Sequence, residues 1–266
     1  MQFLESSDRV RLAYEVEGHG PALLLHLGAG CDSELWRAAG YAKALSQSYT
    51  CVLFDHRGHG ESDKPRGAEA YHIDRLTADV VELLDHLGIE STAFWGYSAA
   101  VCQGAMLAER HPERIWALVV SGSVSPPDPD PDSDGYAWVE AAAAEFREHG
   151  WEKLIARFEQ QEPDPVPTWM TDRIRATDVE QYVDLIESFP DWRWEEWDAL
   201  QTVAAPTLFL TGALEDPDDD VGTIVARMHH GERVRLPGLG HINAFLATES
   251  VLPHVEAFLA EHAPRD

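Results

Sequence analysis

The stretch Phe94-Trp95-Gly96-Tyr97-Ser98-Ala99-Ala100-Val101 decides the reading of this chain. An apolar strand runs into a tight turn that carries a serine, and a helix follows. A serine at such a turn is lifted out of regular structure, so its hydroxyl stands exposed at the carboxyl end of a sheet. Strand and helix nearly collide there, and the flanking positions must be small. Gly96 and Ala100 meet that demand.

The same alternation extends on both sides. Leu23-Leu24-Leu25-His26-Leu27 is a short apolar run ending in Gly28-Ala29-Gly30, which suits a buried parallel strand entering a loop. A helical stretch follows at about 33–47. Thr50-Cys51-Val52-Leu53-Phe54 is a second buried strand, and it ends in Asp55-His56-Arg57-Gly58-His59-Gly60-Glu61-Ser62. Ile73, Leu76, Val80, Leu83, Leu84 and Leu87 keep helical spacing over 73–87. The serine strand spans 92–97, its helix reaches about 110, and another strand runs over 115–121. Strands at 206–211 and 233–236 and a helix over about 248–261 close the chain. Strand–helix alternation of this kind predicts an α/β fold, a mostly parallel doubly wound sheet with right-handed crossovers and helices on both faces.

The alternation breaks at Pro126-Pro127-Asp128-Pro129-Asp130-Pro131-Asp132-Ser133-Asp134. Prolines lack a ladder donor and the aspartates repel one another, so this reads as a linker. Beyond it no strand is expected until about 202, only helical pieces near 136–148, 151–161, 168–176 and 178–188. The expected organisation is a core of 1–124 and 204–266 with a helical insertion at 125–203. That insertion holds six of the nine tryptophans: Trp138, Trp151, Trp169, Trp192, Trp194 and Trp197. Some must anchor it. Others can roof an apolar pocket over the sheet edge, and Trp138 and Trp169 are the candidates to line it.

A serine hydroxyl is a weak nucleophile until a base takes its proton, and the base must titrate near neutrality. Of thirteen histidines, His241 lies in a glycine-rich loop, Leu236-Pro237-Gly238-Leu239-Gly240-His241, directly after the last strand. His229 and His230 read as surface residues, and His56 and His59 as structural ones in a turn. A buried carboxylate should hold the imidazole in one tautomer. The loop after the strand at 207–211 crowds several acids together. Asp216, followed by Pro217, fits the distance best, and Glu215 is the alternative. Two backbone donors for a developing oxyanion are expected from Ala99, at the start of the serine helix, and from Ala29. Cys102, one helical turn past Ser98, reads as packing.

Taken together and in this order, the motifs resemble the α/β-hydrolase superfamily over essentially the whole length. They are the loop at 28–30, Asp55-x-Arg57-Gly58-x-Gly60-x-Ser62, the serine turn at 96–100, an acid at 216 and a histidine at 241. The resemblance implies Ser98 as nucleophile, His241 as base, Asp216 as orienting acid and a helical cap at about 125–203. Two positions depart from the family pattern. Leu27-Gly28 stands where His-Gly is usual, and Ala100 replaces a glycine. Serine at 98 argues against epoxide hydrolases and haloalkane dehalogenases, which use aspartate there. Size and cap are similar to small esterases and 3-oxoadipate enol-lactonase-like proteins. The implied activity is a cofactor-independent serine hydrolase of a small apolar or amphipathic carboxylic ester or lactone. The same triad could serve acyl transfer or carbon–carbon bond hydrolysis, and the same fold a non-catalytic receptor.

Bulk properties narrow the partners. With 47 acidic against 20 basic residues the formal charge is −27, which repels nucleic acid and anionic membrane. No apolar run approaches the ~20 residues of a membrane span, and the first residues do not read as a secretory signal, so a cytoplasmic protein is expected. Three cysteines without paired spacing give no disulfide framework. Neither metal-ligand spacing nor a nucleotide-binding motif occurs, so no metal and no cofactor is expected.

Overall fold

The computed structural model describes residues 1–122, 137–192 and 203–264. The linker at 126–134, and Trp194 and Trp197, lie outside them. The chain begins with two strands the sequence reading missed, β1 (Gln2–Glu5) and β2 (Arg11–Gly18), before the expected β3 (Ala22–Leu27). The helix expected at 33–47 is two short ones, α1 (Glu34–Ala38) and α2 (Tyr41–Leu45). Gly40, at φ +91°, breaks them apart in a conformation that a side chain would strain. Next come β4 (Thr50–Asp55), α3 (Ile73–Leu87), β5 (Thr92–Tyr97), α4 (Ala100–Arg110) and β6 (Ile115–Ser121). Four helices follow: α5 (Ala137–His149), α6 (Glu152–Gln161), α7 (Thr168–Ala176) and α8 (Val179–Ser188). The chain closes with β7 (Thr207–Gly212), α9 (Asp220–Val225), β8 (Gly231–Leu236), α10 (His241–Leu246) and α11 (Thr248–His262).

The strands form one sheet in the order β1-β2-β4-β3-β5-β6-β7-β8. Strands β3 to β8 are parallel, whereas β1 and β2 pair antiparallel at one edge. The central strands read as unbroken apolar runs because both faces are covered. Successive residues point to opposite faces, and two apolar layers divide them accordingly. Leu23, Leu25, Leu53 and Trp95 join Leu35, Trp36, Val255 and Phe258 on one side. Leu24, Val52, Phe54 and Phe94 join Val80, Leu84, Val101 and Leu107 on the other. The carboxyl ends of all six parallel strands therefore share one edge, and α5 to α8 sit in the chain between β6 and β7. Among the described residues no helix is long and apolar enough to cross a membrane.

The turn after β4 is locked from several directions. Arg57 is fully buried, and its guanidinium forks onto both oxygens of Asp79 at 2.7 and 2.8 Å and onto Asp8 at 2.9 and 3.1 Å. The Ser62 hydroxyl donates to the Asp55 carbonyl at 2.5 Å and accepts the Ala13 N–H at 2.7 Å. Gly60 is at φ +49°, and a Cβ there would lie 2.0 Å from the Asp55 carboxylate. Asp55 itself accepts the N–H groups of Ser33 and Glu61. The run 55–62 thus braces the strand end beneath the loop at 28–30.

Candidate active site

Ser98 sits between β5 and α4 at φ +60°, a left-handed backbone conformation that non-glycine residues seldom adopt. Its N–H is held by the Ser121 carbonyl of the neighbouring strand at 2.8 Å. A side chain at Gly96 would meet the Ala100 carbonyl at 2.9 Å, so strand and helix do approach as closely as their small residues imply.

The loop at 28–30 presses onto this turn. A Cβ on Gly28 would lie 2.6 Å from the Ala99 nitrogen and 2.9 Å from the Ser98 Cβ, so only glycine allows the approach. Gly30 is fixed from two sides. Below, its N–H donates to His59 Nε2 at 2.9 Å, and His59 Nδ1 faces the Arg57 carbonyl at 3.3 Å. Above, the Trp151 indole lies where a Gly30 Cβ would be, at 2.7 Å, and the Thr177 hydroxyl donates to the Gly30 carbonyl. Ala29 and Ala99 both line the space in front of Ser98. The structural roles expected of His56 and His59 gain a specific content here: both are buried and their rings stack at 3.7 Å. Burial pushes the His59 imidazole down to about 3 and that of nearby His26 to about 4, so both are neutral at physiological pH.

His241 opens the short helix α10 instead of standing in a loop. Its Nδ1 lies 2.9 Å from Glu215 Oε2. This overturns the preference for Asp216. The turn Gly212 to Glu215 closes with an N–H···O bond of 3.2 Å, and Glu215 curls back so that Oε1 accepts the Gly212 N–H at 2.7 Å. Its second oxygen is thereby aimed at the imidazole. Asp216 points the other way, and its Oδ1 accepts the Asp220 N–H at 2.8 Å where α9 begins. The Tyr97 hydroxyl donates to the His241 carbonyl at 2.6 Å. Burial, with the charge of Glu215 adding to it, pushes that phenol well above its usual value and keeps it a donor. Phe158 of α6 stacks on the imidazole at 5.7 Å and 13°.

Ser98 and His241 face one cavity of about 230 Å³. Its walls are the loop at 28–30, α10 and the inserted helices, which contribute Trp138, Trp151, Leu154, Phe158, Met170, Ile174, Tyr182 and Phe189. Trp138 is therefore in place. Trp169 is not: it is 39% exposed, because α7 turns Met170 and Ile174, four apart, toward the cavity and its neighbour outward. Cys31 and Cys102 also line the cavity, and burial raises both thiols, Cys31 to about 12, so neither competes as a thiolate. Away from the cavity, Glu232, Glu261 and His262 gather at the surface, a cluster of common acidic type.

A family model described as the alpha/beta hydrolase fold matches residues 21–247. The chain belongs to the α/β-hydrolase family. Among relatives of this α/β-hydrolase, 3-oxoadipate enol-lactonase 2 of Acinetobacter baylyi is 28% identical over 219 residues, 78% of this chain and 77% of that one. RutD of Caulobacter segnis is 35% identical over 121 residues, and the match spans less than half of either protein, 44% of this chain and 45% of that one. A thermophilic esterase from Thermogutta terrifontis superposes with a TM-score of 0.84 at 20% identity, covering 99% of this chain and 100% of that one, which is a likeness of fold.

Proposed function

We propose that this α/β-hydrolase cleaves uncharged carboxylic esters or lactones through an acyl-enzyme on Ser98. The observation that carries the reading is the convergence of a strained Ser98 and a Glu215-bound His241 on one apolar cavity. With Nδ1–H donating to Glu215, the imidazole keeps Nε2 free of a proton and able to take that of the Ser98 hydroxyl. The Oγ then attacks the carbonyl carbon. Its oxygen gains negative charge and meets the N–H groups of Ala29 and Ala99, donors of the kind worth about 10²–10³ in turnover. The imidazolium returns its proton to the departing alkoxide, and water, activated by the same nitrogen, releases the acid.

The substrate class follows from the walls. The described lining residues include no Asp, Glu, Lys or Arg. A substrate carboxylate buried there would find no Lys or Arg partner among the described residues, and an unpartnered buried charge costs several kcal/mol. The formal net charge of −27 also disfavours anions on approach. A 3-oxoadipate enol-lactone bears a free carboxylate, so this pocket is better suited to a neutral relative of such a lactone, or to an alkyl ester. The inserted helices act as the cap that excludes water.

The first experiment is intact mass after exposure to a small fluorophosphonate, comparing the native protein with Ser98→Ala. One adduct on the former and none on the latter is expected. A folded native protein that takes no adduct would move a non-catalytic receptor ahead of the enzyme. A panel of neutral esters and lactones, each paired with a carboxylate-bearing counterpart, then tests the substrate class. The neutral member should have a kcat/KM about 10²-fold higher or more.

A further inference from the structure

The inserted helices do more than roof the cavity: they hold the backbone that carries His241. Glu162, the residue directly after α6, is buried at 9% exposure, and its carboxylate does not face the cavity. Its Oε1 accepts the Ile242 N–H at 2.5 Å and its Oε2 the Asn243 N–H at 3.1 Å. Those are the second and third residues of α10, whose first residue is His241. A helix start ordinarily has these amides satisfied by a Ser, Thr, Asp or Asn at the preceding position. Here that position is Gly240, which has no side chain, and a Cβ on it would lie 2.6 Å from Glu162 Oε2. The cap of the histidine-bearing helix therefore comes from 80 residues earlier in the chain. Two further bonds run alongside: Asp164 N–H to Asn243 Oδ1 at 3.0 Å, and Asn243 Nδ2 to the Asp164 carbonyl at 3.4 Å. Phe158, on the same helix as the approach to Glu162, stacks on the imidazole face.

We propose that Glu162 is a positioning residue for the base, making the insertion a working part of the catalytic machinery. This rests on His241 being the base. Glu215 orients the ring from the core, Tyr97 holds the His241 carbonyl, and Glu162 fixes the start of the helix on which both act. Charge matters as well as shape, since a carboxylate at a helix start is favoured by the amide dipoles. Because Glu162 lies behind α10 and not in the cavity wall, its removal should lower turnover and leave substrate affinity alone.

The test compares Glu162→Gln and Glu162→Ala with the native protein by fluorophosphonate labelling rate, by kcat and KM on a neutral ester, and by the downfield proton resonance of the His241 Nδ1–H. A misplacement of the base by a fraction of an ångström to an ångström is expected to cost about 10²-fold in kcat for the alanine variant. Glutamine, which keeps one acceptor, should recover about tenfold of that, with KM within about threefold throughout. The histidine resonance should shift or broaden in step. Native kcat and an unmoved resonance in Glu162→Ala would overturn the proposal, and so would a loss that falls on KM. Should the alanine variant fail to fold, Glu162→Gln decides by the same readouts. Should the native protein fail to label at all, the reading of Ser98 fails, while the resonance still reports whether Glu162 places the imidazole.

Discussion

The two sides of the cavity are built differently. On the serine side, Ser98 and Ala99 are positioned by backbone, through adjacent parallel strands and a left-handed turn, and the loop at 28–30 is seated on that turn by a glycine contact and held by His59 from below and by Trp151 and Thr177 of the insertion from above. On the histidine side, His241 is positioned by side chains from separate places, Glu215 from the β7 turn, Tyr97 from β5 and Glu162 from the insertion. The first has its serine turn on the most buried strands of the sheet. The second is an assembly whose parts can be removed one at a time, and it depends on the inserted helices being docked. A substrate that must pass those helices to enter would therefore loosen the base, and with it the top of the loop at 28–30, before it loosens the Ser98 turn.

The largest effect that sharpens this contrast concerns the two neighbouring acids. Glu215→Gln should lower kcat by about 10³–10⁴-fold, because an amide can donate to Nδ1 and so stabilise the wrong tautomer. Asp216→Asn should stay within about threefold in kcat, since its oxygen caps the start of α9 and does not meet the imidazole. Steady-state kinetics on one ester decide the matter. If the losses were reversed, the assembly drawn for the histidine side would be wrong at its central bond.

An intermediate effect tests the serine side through acid. His59 and His26 are buried and neutral, with values pushed down to about 3 and about 4. In the unfolded chain they titrate near 6.5, so the unfolded state binds protons that the folded state refuses. The stability they support is intact above about pH 6.5 and is lost as pH falls toward those lower values. Each imidazole costs about 1.4 kcal/mol per pH unit across that window. Urea unfolding at pH 6.5 and pH 5 should show the loss, and His59→Gln, whose side-chain oxygen can still accept the Gly30 N–H, should reduce the slope by about one proton. A slope the same in both proteins would mean that His59 is not the neutral brace beneath the loop.

The same contrast explains what could be read in advance. The sheet, the serine turn and the braced turn at 55–62 are local: apolar runs, small residues and turn chemistry within a few positions of one another. Four of the helices of the insertion were equally plain from their spacing. The edge strands β1 and β2 were missed because they are short and mix charge with apolar residues, as in Arg11-Leu12-Ala13-Tyr14-Glu15-Val16. Glu215 and Asp216 lie side by side in sequence, and only the direction in which the turn aims each side chain separates them. Glu162 left no local trace at all. Its meaning comes from a helix start 80 residues away that has a glycine where a capping side chain would stand.

The smallest effect isolates the strain at the nucleophile. A non-glycine residue in the left-handed region costs roughly 1–2 kcal/mol, and Ser98 is at φ +60°. Ser98→Gly and Ser98→Ala both delete the hydroxyl and should both abolish labelling. Only glycine removes the backbone strain. After its larger chain entropy in the unfolded state is set against that relief, Ser98→Gly should be more stable than Ser98→Ala by about 1 kcal/mol, a rise of about 2–4 °C in Tm. The increment should persist unchanged in a Glu215→Gln background, because strain in the serine turn is a property of the backbone and does not depend on how the histidine is held. Equal Tm values for the glycine and alanine variants would show that the turn carries no strain. An increment that vanished when Glu215 was changed would show that the two sides of the cavity are one mechanical unit instead of two.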